Sequence, residues 1–180
     1  MTTFVSLIRG INVGGHQTVR IDELKELYTS LGFKDIVTYI QSGNIVFTSH
    51  DADLAHLPRQ IEDSFAQKFG FRAKVMVRTS AELQAIIDCN PFQNQPMKES
   101  NRVVVMFLDA SPDRGLLKDL QESYAGPEEF YLIGQELYIY YPNGMGRSKL
   151  SNAFLEKKLK TAGTARNWNT VLQLQTLIQR

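Results

Sequence analysis

Ile36-Val37-Thr38-Tyr39-Ile40 and Ile45-Val46-Phe47-Thr48 are two β-rich runs joined by Gln41-Ser42-Gly43-Asn44, where Gly43 supplies the positive φ that a tight hairpin turn needs. This hairpin decides the fold, because everything around it falls symmetrically. Before it, Ile21, Leu24, Leu27, Tyr28 and Leu31 recur at helical spacing, with Asp22 and Glu23 in the first turn and Gly32 placed to cap the end. Before that helix, Thr3 to Arg9 is apolar on both faces, as a central strand covered twice requires. After the hairpin, Leu54, Leu57, Ile61, Phe65 and Phe69 make a second helical stripe ending at Gly70, which tolerates Pro58 only in its first turn. Phe71 to Arg78 reads as a fourth strand. The order is β-α-β-β-α-β.

The rest of the chain repeats this order. Thr79 and Glu82 have the spacing of a capping box and open a short helix through Leu83, Ile86 and Ile87, stopped by Asn90-Pro91. Residues 92–101 read as a polar, exposed loop. Arg102 to Leu108 is the most apolar strand. Ser111-Pro112 opens a helix with the stripe Leu116, Leu117, Leu120 and Tyr124, closed by Gly126-Pro127. Phe130 to Ile133 and Leu137 to Tyr141 form a hairpin around Gly134-Gln135. A loop over residues 142–147 leads to a helix carrying Leu150, Phe154, Leu155 and Leu159, and a short strand over 164–166 precedes a closing helix.

Two copies of one order argue for a duplicated α+β sandwich of the ferredoxin-like kind, its two halves packed together, plus a C-terminal helix. The expected boundaries are 1–79 for the first half, 80–101 for a connecting helix and loop, 102–167 for the second half and 168–180 for the last helix. The alternative is one mixed sheet shared by both halves. Because Val103 to Leu108 is apolar on both faces, the halves or the extra helices are expected to cover one another.

Composition sets the class. With 180 residues, 43% hydrophobic and 22% charged, the chain can bury about two-thirds of its unfolded surface. Twenty basic against nineteen acidic residues leave a net charge of +1, so no global field gathers nucleic acid or an anionic membrane. The lone Cys89 forms no internal disulfide, the N-terminus lacks a basic segment before an apolar run, and no stretch approaches the ~18 apolar residues of a membrane span. These features place the protein in the cytoplasm.

Topology then says where polar residues meet. The loop after the first strand and the turn between the second and third lie at one end of the sheet, which puts Arg9 and Asn12 beside Gln41, Ser42 and Asn44. These are donors and amides without a carboxylate or imidazole, a set suited to an anion or a planar hydrogen-bonding ligand rather than to proton transfer. Gly10, Gly14 and Gly15 match neither a dinucleotide fingerprint nor a P-loop. In the second half, Gly144, Gly146, Arg147, Ser148 and Lys149 share an end with Arg166, Asn167, Trp168 and Asn169, where Ser148, Asn167 or Asn169 would cap helices and the cations would favour an anion. No metal or catalytic motif is present: His16, His50 and His56 lack ligand spacing, Cys89 reads as a buried or inert thiol, and Ser42 sits in no nucleophile elbow.

Leu7-Ile8-Arg9-Gly10-Ile11-Asn12-Val13-Gly14-Gly15, Tyr39-Ile40-Gln41-Ser42-Gly43-Asn44, Ser148-Lys149-Leu150 and Arg166-Asn167-Trp168-Asn169-Thr170 together resemble the family known as domain of unknown function 1697. The resemblance implies a duplicated α+β sandwich and no particular substrate or cofactor. From the residues, the leading expectation is a small anionic or phosphorylated metabolite held between the halves, with Arg9, Lys149 and Arg166 supplying charge and Asn12, Gln41, Asn44, Asn167 and Asn169 orienting it. The competing expectations are an RNA-binding module of RNA-recognition-motif type, which Ile45 and Val46 weaken because base-stacking rings are wanted there, and a structural or regulatory protein that binds a partner and no ligand.

Overall fold

The structure, a computed structural model, describes residues 1–50 and 53–180. Its first elements are β1 (Thr2–Ile8), α1 (Ile21–Ser30), β2 (Lys34–Tyr39), β3 (Asn44–Ser49), α2 (Leu57–Phe69), β4 (Val75–Thr79) and α3 (Ser80–Asp88). They are followed by β5 (Val103–Leu108), α4 (Arg114–Ser123), β6 (Glu129–Ile133), β7 (Glu136–Tyr140), α5 (Asn152–Leu159), β8 (Gly163–Asn167) and α6 (Trp168–Ile178). The strands form two separate antiparallel sheets, ordered β2-β3-β1-β4 and β6-β7-β5-β8, and this overturns the alternative of one mixed sheet. The chain divides into two compact units, Met1–Ala85 with Gln173–Arg180 and Ile86–Leu172.

The halves repeat each other at the level of single hydrogen bonds. Where β1 ends, the Ile8 N–H donates to Gly43 O (2.8 Å) and the Arg9 N–H to Lys74 O (2.9 Å). Where β5 ends, the Leu108 N–H donates to Gln135 O and the Asp109 N–H to Ala162 O, both at 2.9 Å. Val5 is flanked by Val46 and Arg78, and Val105 by Tyr138 and Arg166. The α3 helix, expected as a connector, therefore stands to β4 as α6 stands to β8.

Each unit has its own core under its helices. In the first, Phe4, Ile8, Phe47 and Val77 pack with Leu24, Tyr28, Ile61 and Phe65 of α1 and α2. The Phe33 ring stacks on Phe47 at 4.5 Å, and Ser6 and Tyr28 join their hydroxyls at 2.7 Å, with burial pushing the Tyr28 phenol up. In the second, Val104, Met106, Leu120, Leu137, Ile139 and Leu155 form the corresponding core, and the buried Tyr141 hydroxyl donates to Leu150 O at 2.8 Å.

Several local expectations hold in detail. Gly43 has φ 72, Pro58 lies in the first turn of α2, and the capping box closes both ways: the Thr79 N–H donates to Glu82 Oε2 (2.7 Å) and the Glu82 N–H to Thr79 Oγ1 (3.1 Å).

Others are corrected. β4 begins at Val75 rather than Phe71, because Gly70 closes α2 in the left-handed region and Phe71 turns against the Phe65 ring (5.2 Å). The α4 helix begins at Arg114 rather than Ser111, capped by the Asp113 carboxylate, which accepts the Gly115 N–H at 2.7 Å. The cap of α5 is Ser151, which accepts the Phe154 N–H, while Ser148 accepts the Leu150 N–H in the turn before it. The 92–101 loop is not wholly exposed: Phe92 is buried against Tyr140, and Lys98 lies 4.9 Å from the Phe92 ring centre and pairs with Glu129. Cys89 is exposed, not buried.

Candidate functional site

In the first half, β1 and the β2–β3 turn bring the predicted loops together. The Asn12 Nδ2 donates to Gln41 O (2.7 Å) and Val19 O (3.0 Å), and its Oδ1 accepts the Val19 N–H (2.7 Å). The side chain fastens the Gly-rich loop to the turn, and its amide is occupied in doing so. Asn44, only 1% exposed, donates to Tyr39 O (3.1 Å) and Ser42 Oγ (2.9 Å), which ties off the turn from within. Arg9 is half-buried and Gln41 exposed at this end of the sheet.

In the second half, the two polar stretches also meet. Gly144, at φ 81, admits the chain into a short 3-10 turn, Met145–Arg147. Beneath it lies a recess of about 180 Å³ whose floor is Val104, Tyr141, Met145 and Ala165, with Asn101, Arg102 and Asn167 at its rim. The recess shares Asn101, Arg102 and Gly144 with a wider cleft of about 780 Å³, which adds Asn143 and Arg147. Asn167 has two duties at the rim: its Nδ2 donates to Asn101 O (2.8 Å), and its Oδ1 accepts the Asn169 N–H (3.0 Å), which caps α6. Asn169 is exposed and accepts from the Ser100 hydroxyl at 3.4 Å.

Arg102 is held by Pro142 O (2.5 Å) and Glu99 (3.2 Å), which aims its guanidinium along the cleft wall. Sequence reasoning passed over it as the first residue of an apolar strand. The available signal was topological, since the start of β5 and the end of β7 lie at the same sheet end. Arg147 and Lys149 are exposed, and no side chain among the described residues forms an ion pair with either.

Arg166 lies apart from this exposed wall. It is 9% exposed on β8, donates to Thr164 Oγ1 (2.7 Å) and Ala165 O (2.8 Å), and desolvation pushes its guanidinium down to about 10, which leaves it cationic at neutral pH. Arg78 occupies the same place on β4, 8% exposed, and donates to Val77 O (3.0 Å). The two arginines therefore hold equivalent positions, Arg78 beside Val5 and Arg166 beside Val105.

Fold and site together define a two-unit α+β protein with a polar end on each sheet. The chain belongs to the family described as Protein of unknown function (DUF1697), whose model matches residues 1–138. It is similar, at 24% identity and a TM-score of 0.77 over 98% of both chains, to a solved structure described as that of the conserved bacterial protein SP0830 from Streptococcus pneumoniae, a likeness that shows the fold. Among curated proteins none matches. No helix among the described residues is long and apolar enough to cross a membrane.

Proposed function

We propose that this protein binds a small anionic ligand in the second half, with its anionic group at Arg147 and Arg102 and an apolar or planar part in the recess over Tyr141 and Met145. One observation carries the reading: Arg147, a guanidinium without a carboxylate partner, lines a cleft that shares Asn101, Arg102 and Gly144 with a recess whose floor is apolar. Surface arginines ordinarily sit in water at little cost, so exposure alone would say nothing; the adjoining shaped recess is what distinguishes this one. Charge-assisted hydrogen bonds of ~1.5–3 kcal/mol each, two from the arginines and others from Asn101 and Asn143, suffice for micromolar affinity. Lys149, in the stretch that follows Arg147, adds positive potential to the same end.

The strand order of each sheet supports the finer reading of each half as a ferredoxin-like sandwich. The single cysteine supports a place in the cytoplasm. An RNA-binding reading has less support, because Val5, Leu7 and Val46 are buried on one face of the first sheet's central strands and Phe4 and Phe47 on the other, so neither face of these strands offers rings to bases.

The test is a thermal-shift screen of phosphorylated and carboxylated metabolites against the wild type and Arg147→Ala. Anionic compounds with an apolar part are expected to raise the melting temperature of the wild type only, while the unliganded variant melts as the wild type does. A shift that survives in Arg147→Ala, or no shift with any anion, overturns the reading.

A further inference from the structure

Resting on that reading, we infer that the ligand also carries an ammonium group, received by Glu128 in a second compartment that shares Arg147 and Asn143 with the first. This compartment, about 510 Å³, lies where α4 ends and the chain turns through Gly126-Pro127 into β6, and it also exposes Tyr124 and Lys149.

The carboxylate there is built in, and does not merely happen to lie on the surface. The Tyr124 hydroxyl donates to Glu128 Oε2, and the Ser148 side chain helps to hold the pKa of the same carboxyl down. A Cβ at Gly126 would lie 2.1 Å from the Tyr124 hydroxyl and 2.6 Å from Glu128 Oε2, so a larger residue there would displace the Tyr124–Glu128 pair. Burial alone would raise the Glu128 pKa, but the side chains of Ser148 and Tyr124 outweigh it and hold the group below the usual carboxylate range, so it is ionised at neutral pH.

The charges around this cavity do not cancel one another. Arg147 and Lys149 line it together with Glu128, yet neither forms an ion pair with that carboxylate. A ligand bearing only negative charge would gain from the cations and be repelled by Glu128. One bearing both signs satisfies all three side chains. A carboxylate has about four acceptor sites, so the bond from Tyr124 leaves capacity for an ammonium. An isostere with a methyl in place of the ammonium would leave the Glu128 charge without a cationic partner in the cavity, and that difference discriminates between the two ligands.

The probes are a series of short ω-aminoalkyl phosphates and the plain alkyl phosphates of matching lengths, titrated calorimetrically into wild type, Glu128→Gln and Arg147→Ala. Glu128→Gln keeps an oxygen for the Tyr124 hydroxyl, and circular dichroism melting checks that it folds. At the best length the amino compound is expected to bind wild type about tenfold more tightly than its alkyl counterpart, the worth of one charge-assisted bond. Glu128→Gln should abolish that preference and bind the alkyl phosphates at least as tightly as wild type does, because the repelling charge is gone. Equal affinity for the two series in wild type, or a preference that survives Glu128→Gln, overturns the ammonium site alone. If neither series binds wild type, the anion reading falls and this inference falls with it.

Discussion

At the scale of single residues, Gly43 shows how conformation and space combine. Its φ of 72 lies in the region that favours glycine, and a Cβ there would come within 2.9 Å of Ile8 Cβ and 3.0 Å of Ile8 O. Gly14, at φ 62, has nothing within 4 Å of the same position. Gly14→Ala therefore bears only the left-handed backbone cost, about 1 kcal/mol, whereas Gly43→Ala adds overpacking and should cost about 3 kcal/mol. For a chain of this size that difference separates the two melting temperatures by roughly 4–8 °C, which calorimetry of the two variants checks. The turn glycine was legible in the sequence. The occupation of Asn12, Asn44 and Asn167 was not: an amide in a loop reads alike whether it faces solvent or spans two backbone segments, and only the distances to Val19, Tyr39 and Asn101 show which.

At the scale of elements, the junction of the last strand and the following helix recurs in both halves. Thr79 caps α3 through Glu82, and Asn167 caps α6 through the Asn169 N–H. Removal of either cap should cost about 1 kcal/mol. Urea denaturation of Thr79→Ala and Asn167→Ala should therefore give matching losses, with a further decrement in Asn167→Ala from the bond to Asn101 O. An Asn167→Ala variant as stable as wild type would mean that the amide does not hold the rim of the recess. The capping box was readable from spacing alone because it acts over three residues. The starts of β4, α4 and α5 were misplaced because each was decided by a nearby competitor: the inward turn of Phe71, the Asp113 carboxylate and the Ser151 hydroxyl.

At the scale of the whole molecule, the two sheets make a stability forecast. β1 and β3 are central in one, β5 and β7 in the other, and their residues are buried almost throughout, whereas the β2 edge is largely exposed. Native-state hydrogen exchange should find the slowest amides in β1, β3, β5 and β7, with β2 orders of magnitude faster. Rapid exchange at Val5 or Val105 would contradict the description of each unit around its central strands.

By itself the sequence determined the β-α-β-β-α-β order twice over, the turn glycines, the capping box and a near-neutral charge, because periodicity, φ preference and capping are forces that act between residues a few positions apart. Only the tertiary structure decided that Arg102 rests on Pro142, 40 residues away, that Arg147 lines a cleft adjoining a recess floored by Val104 and Tyr141, and that Glu128 shares a cavity with cations it does not neutralise. Those are matters of desolvation and distance between remote segments, and they exist only once the sheets have formed.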